Sequence, residues 1–190
     1  MPNRAISPIS AAPWVLLCLI IAVALTRLIP HPPNFSPVEA MALFGGAYFA
    51  KRSWAILAPL IALFISDLAL GLMMGGDYFH YFVSAGFLLV YFTIAALSFL
   101  GFGLRNKISV LRVASYGIAG SVIFFLVTNF GVWFGSSFYP QTINGLMAAY
   151  VAGLPFLQNG VFGTLLYSAV LFGGYELLKQ RLPTLANTRA

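Results

Sequence analysis

Few residues in this chain could do chemistry, and each of them interrupts a long apolar run. Arg27, Glu39 and Asp67 are ionisable residues within or at the edges of such runs, and Asn129 places an amide in another. Ionised groups at membrane depth are costly and face a bundle interior, where they pair with one another or meet a ligand. Rise per residue gives their level. Asp67 stands fifteen residues beyond Arg52, or ~22 Å along a helix, and Asn129 stands seventeen residues past Arg112. Glu39 falls in the first turn of a helix that starts from the opposite side, and Arg27 lies four residues from the gap it approaches. The four groups thus share one level, near Thr128 and Trp133, and predict a polar cavity open to the outer side. The plainer alternative is structural: Arg27 pairs with Asp67 or Glu39, Glu39 complements its own helix dipole, and Asn129 links helices.

The two histidines, His31 and His80, fall in the first and second outer connections. Neutral imidazoles suit several transition metals, a corrinoid cobalt among them, but no thiol or carboxylate spacing accompanies this pair. His80 reads equally well as an interfacial hydrogen-bonding residue. Tyr78, Phe79, Tyr81, Phe82, Trp133, Phe134, Phe138 and Tyr139 gather near the same boundary, as an interfacial belt or as a platform for a flat ligand. No phosphate-binding glycine loop, nucleophile elbow or paired-histidine helix is present, so no catalytic residue is expected. The chain reads as a non-enzyme, and any ATP-driven transport would draw its hydrolysis from another protein.

The elements that must position these groups follow from composition. The chain of 190 residues is 61% hydrophobic and 7% charged, against about 25% charged in a soluble domain. That composition predicts a single integral membrane domain over residues 1–190: an all-α, compact six-transmembrane-helix bundle with lipid as its solvent. Nine of the ten Lys and Arg residues fall in alternate gaps: Arg4; Lys51 and Arg52; Arg105, Lys107 and Arg112; Lys179, Arg181 and Arg189. Basic gaps resist translocation, so both termini read as cytoplasmic in a bacterial inner membrane, with Arg27 the exception. The net charge of +6 is accounted for by orientation and anionic lipid, and nucleic-acid binding is not expected. Cys18 is the sole cysteine, which excludes an internal disulfide or a paired-cysteine zinc site. Arg4, the stretch from Trp14 and Ala22-Val23-Ala24 also resemble a signal peptide with its cleavage site. Removing that run would put Lys51 and Arg52 after an odd number of crossings, so the uncleaved topology is preferred.

Helices are expected over residues 13–29, 36–50, 53–73, 78–104, 110–134 and 155–178. The first stops at Pro30-His31-Pro32-Pro33, and Ser36-Pro37-Val38-Glu39 opens the second as a cap, a proline and an acid in the first turn. The second is too short for a bilayer and must be sheltered by neighbours, with Gly45-Gly46 allowing close approach. Gly75-Gly76 closes the third. Gly117, Gly120 and Gly131 are packing notches on the fifth, for a neighbour or for an outside partner. Pro155 divides the last apolar stretch, which predicts a short extra helix over residues 145–154 in the fifth, outer loop.

Two stretches carry a resemblance. The run from Arg27 to Tyr48, with Asn34-Phe-Ser-Pro-Val, and the run Leu126-Val-Thr-Asn-Phe-Gly-Val-Trp133, followed by Tyr139-Pro-Gln-Thr, Gly145-Leu, Pro155-Phe and Asn159, resemble a family of small bacterial six-helix membrane proteins. That family is related to the substrate-binding S components of energy-coupling-factor vitamin transporters and includes a solitary group tied to cobalamin uptake. The resemblance implies a small ligand held at the outer end, under the first, third and fifth loops. Depth and this resemblance together give a candidate ligand set of Arg27, His31, Asn34, Glu39, Asp67, Tyr78, His80, Asn129, Trp133 and Tyr139, with His80 or His31 on cobalt if the ligand is a corrinoid. The small-residue docking motif usual on helix 1 of module-dependent members is replaced by Ala11-Ala12-Pro13-Trp14 and the bulky Leu16, Leu17 and Leu19, so docking to a shared ATP-driven module is not expected. A non-catalytic accessory subunit of a larger membrane complex is the competing reading.

Overall fold

The structure, a computed structural model, describes residues 11–82, 84–135, 137–182 and 185. Among the described residues the regular structure is helical throughout: α1 (Ala11–Leu25, extended by a 3-10 turn, Thr26–Leu28), α2 (Val38–Tyr48), α3 (Arg52–Met74), α4 (Gly76–Phe82), α5 (Ala85–Gly101, extended by a 3-10 turn, Phe102–Leu104), α6 (Val110–Gly135) and α7 (Ile143–Arg181). Four of these, α3, α5 with its turn, α6 and α7, are long and apolar enough to cross a membrane. Their outward faces carry large exposed apolar side chains such as Leu72, Leu88, Phe92, Val110 and Phe162.

The bundle is organised around its shortest member but one. Ten of the eleven residues of α2 are buried, because α1, α3, α5, α6 and α7 all pack on it. A helix of this length rises only ~16 Å, and it is sheltered on every side, as its length and its glycines predict. Its backbone touches that of α5 directly: a side chain added at Gly101 would sit 2.6 Å from the Leu43 carbonyl oxygen, and one at Gly46 would overlap the Ser98 carbonyl. Pro59 of α3 fills the notch at Gly45. Around this contact the core is formed by Leu16 and Ile20, Met41, Leu43 and Phe44, Leu63, Ile94 and Leu97, and Leu171 and Phe172. Phe44 meets Phe172 and Tyr175 edge-on, at 5.3 and 5.8 Å between ring centroids.

The last carbonyls of α2 need partners at depth, since no backbone continues to supply them. Arg105 provides them, donating from Nε to the Gly46 oxygen (2.8 Å) and from Nη2 to the Phe49 oxygen (2.7 Å). Its guanidinium also stacks on Phe102, 4.2 Å from the ring centroid. Arg105 is thus both a charge between α5 and α6 and a C-terminal cap.

Two expected boundaries are corrected. The single helix over residues 78–104 is two, α4 and α5, separated where Ser84 caps α5 by accepting from the Phe87 amide at 3.1 Å. The separate outer helix over residues 145–154 does not exist: Ile143–Arg181 is one continuous helix that runs through Pro155. Proline removes one backbone bond and crowds the preceding turn, at ~3 kcal/mol. Among the described residues α7 makes its most extensive pairing with α6, and its start is capped by Thr142. Lower down, Ala169–Gly173 widens into a π turn beside an apolar cavity of about 430 Å³ into which Ser168 faces with no hydrogen-bond partner for its buried hydroxyl.

The α2–α5 contact tolerates no side chain. Gly101→Val should lower stability in detergent by about 1–3 kcal/mol or prevent folding. Gly173→Ala, where no atom lies within 4 Å of the added carbon, should leave the thermal midpoint unchanged or raised.

Candidate functional site: a cup at the start of α2

A cup of about 630 Å³ opens at the end of the bundle that carries Arg27. It exists because α2 begins deep. After the 3-10 turn the chain loses its helical donors at Pro30, Pro32 and Pro33 and drops inward as an extended loop. Asn34 takes a left-handed conformation (φ 62°), which asparagine accepts more readily than most residues. Phe35 and Ser36 then press against α7 at Gly163, where an added carbon would lie 2.8 Å from the Ser36 amide nitrogen. Asn159 of α7 donates to the Pro33 carbonyl (2.9 Å) and fastens the loop. Irregular backbone is tolerated where it lines a cavity, and this segment lines the cup with Ile29, Pro30, His31, Asn34 and Ser36.

One wall of the cup is an ion-pair network. Arg27 Nη1 lies 2.6 Å from Asp67 Oδ1 and donates to Ser66 Oγ at 2.5 Å. Tyr78 donates to the same carboxylate oxygen (3.0 Å) and Tyr91 to the other (2.7 Å). Asp67 is 3% exposed, so each of its oxygens is matched by a donor as a buried carboxylate requires. Burial, and then the Asp67 charge, push the Tyr78 hydroxyl up to about 12, which keeps it protonated and donating. Arg27 therefore points inward, and of its two possible partners it takes Asp67.

The floor carries Glu39, 4% exposed. Its Oε1 faces α7, 3.8 Å from where a carbon added at Gly160 would lie. The Thr164 hydroxyl of α7 accepts from Ser121 of α6 at 2.9 Å. The remaining lining is mainly apolar: Leu63, Leu70, Met73 and Met74 of α3, Val90 of α5 and Phe124 of α6.

Of the ten expected site residues, Arg27, His31, Asn34, Glu39, Asp67 and Tyr78 line this cup and His80, Asn129, Trp133 and Tyr139 do not. Asn129 shares the predicted depth but turns toward its own helix, donating to the Phe125 carbonyl (2.9 Å) while its oxygen packs where Gly153 leaves room. Trp133 donates to the Pro140 carbonyl (2.9 Å) and its own carbonyl accepts from Gln141, so it fixes the connection that carries Tyr139 rather than facing the cup. His31 is exposed at the rim, with its Nδ1 2.9 Å from the Pro32 carbonyl, and His80 is exposed on α4 outside the lining. Among the described residues no group of three or more His, Cys, Asp or Glu side chains could hold a metal ion. Tyr91, Ser66 and Thr164 are the contributors that sequence reasoning missed. A tyrosine inside an apolar run opposite an aspartate is the one signal that could have found Tyr91.

Fold and site together define a helical bundle of membrane-crossing dimensions with a cup at one end that joins a few polar groups to an apolar lining. Residues 8–185 match the sequence profile described as a family of unknown function (DUF6580), and the chain belongs to that family. No curated protein and no solved structure matches it.

Breaking a buried pair leaves an uncompensated charge and costs about 3–5 kcal/mol. Arg27→Ala should lower the thermal midpoint in detergent accordingly, and the double variant with Asp67→Asn should recover part of the loss. Tyr91→Phe, which removes one neutral donor, should cost about 1–3 kcal/mol. Equal midpoints for Arg27→Ala and the native chain would contradict an inward ion pair.

Proposed function

We propose that this chain is a solitary, S-component-like membrane protein that binds a small vitamin- or cofactor-like molecule in the cup and assists its uptake. The observation that carries this reading is the cup itself. Its volume of about 630 Å³ lies within the ~300–1,000 Å³ usual for small-ligand sites, and like them it joins an apolar lining to a few fixed polar groups. The rigid ion-pair wall and the loop fastened to α7 hold those groups in place without a ligand. The likeness of the Asn34-Phe-Ser-Pro-Val segment to the S-component group adds weight, since that segment forms the rim and floor.

In this reading six segments traverse the bilayer, α1 and α2 being completed by the structure around them, and both termini are cytoplasmic in a bacterial inner membrane. The Arg105 end, with Lys51, Arg52 and Lys179, then faces the cytoplasm and the cup faces outward. The volume of the cup suits a ligand of vitamin size. The glycines that could have seated a partner helix are filled from within: Gly117 by Thr164 and Leu165, Gly120 by Leu43 and Leu97, Gly131 by Leu89. The accessory-subunit reading loses its docking notch.

Purified protein should carry or bind a small molecule saturably, and Asn34→Ala or His31→Ala at the rim should weaken binding several-fold, up to about tenfold, with the thermal midpoint preserved. Absence of saturable binding across a broad vitamin and cofactor panel would overturn the function. Reporter fusions at the two termini should both be active only in the cytoplasm, and a periplasmic signal from either would overturn the topology.

A further inference from the structure

The charges around the cup point to the class of its ligand. Among the described residues three formal charges line it: Arg27, Asp67 and Glu39. Arg27 is committed to Asp67 and Ser66, and both Asp67 oxygens are already matched by Arg27, Tyr78 and Tyr91. That network is closed and electrically neutral. Glu39 takes no part in that network. Among the described residues its carboxylate enters no ion pair. The start of α2 supplies the equivalent of about half a positive charge beside Glu39, and the carboxylate at the floor is left for a cationic group to pair with. The other cationic candidate, His31, is exposed at the rim. Around the carboxylate the walls offer Met73, Met74, Leu63, Leu70 and Phe124, surfaces for an apolar or aromatic body.

We propose that the cup selects a small organic cation, an apolar or aromatic body bearing an ammonium or protonated ring nitrogen, with the nitrogen seated on Glu39. This rests on the cup being a ligand site and adds to it the sign of the ligand's charge. A purely structural Glu39, complementing the α2 terminus, would affect stability but would not rank ligands by charge.

The test uses the purified full-length chain and four probes of one body: 2-phenylethylamine, its N,N,N-trimethyl analogue, 2-phenylethanol and 3-phenylpropionate. Binding is read by calorimetry, and copurified small molecules are read by mass spectrometry. The cations should bind at least about tenfold tighter than the alcohol or the carboxylate, the size expected of a charge-assisted contact in a sheltered site. Glu39→Gln should reduce that preference to about threefold or less, and Glu39→Asp should retain most of it. Where Glu39→Gln does not fold, the ranking on the native chain and on Glu39→Asp decides. Equal or tighter binding of the carboxylate, a preference that survives Glu39→Gln, or a copurified ligand with no basic nitrogen would overturn the assignment while leaving the cup a binding site. No saturable binding of any probe and no copurified molecule would overturn both.

Discussion

A helix of eleven residues cannot cross a bilayer alone, and most of this structure follows from how the chain covers α2. Peptide groups at membrane depth must find partners within the protein. At one end of α2 they find Arg105, and at the other the inward loop is fastened by Asn159 and by contact with Gly163. The glycine contact between α2 and α5 makes the burial complete. Because α2 starts deep, the space above its first turn is left to side chains, and that space is the cup. Cavity and fold thus have one cause.

The same depth explains the ion pair. An arginine near the end of α1 could extend to the headgroups, but the 3-10 turn and the prolines redirect the chain, and Arg27 enters the interior opposite Asp67. Tyr78 and Tyr91 donate to Asp67, and Ser66 accepts from Arg27. A network closed in this way is rigid and neutral, and it serves as a wall rather than a reactive group. Glu39 lacks such closure, although its burial is similar, and among the described residues it enters no ion pair.

Much of this was legible in the sequence, for local reasons. Pro30-His31-Pro32-Pro33 and Ser36-Pro37 announce the break and restart, the glycine pair announces the sheltered helix, and rise per residue places Arg27 level with Asp67. What escaped depends on orientation and competition, which rise alone does not supply. Asn129 has the right depth but faces α7. Pro155 reads as a break, yet packing along α6 outweighs one lost backbone bond. Ser84 was hidden within an apolar run until its capping bond separated α4 from α5.

The central claim, that the cup is where the protein holds a small molecule, is tested most directly by filling it. Val90 lines the cup from α5, and Val90→Trp would occupy much of the space while leaving the ion pair, the inward loop and the α2 contacts in place. The account predicts that protein with this substitution purifies folded, with its thermal midpoint nearly unchanged, and without the small molecule that accompanies the native chain. Retention of that molecule at native occupancy by the folded variant would contradict it.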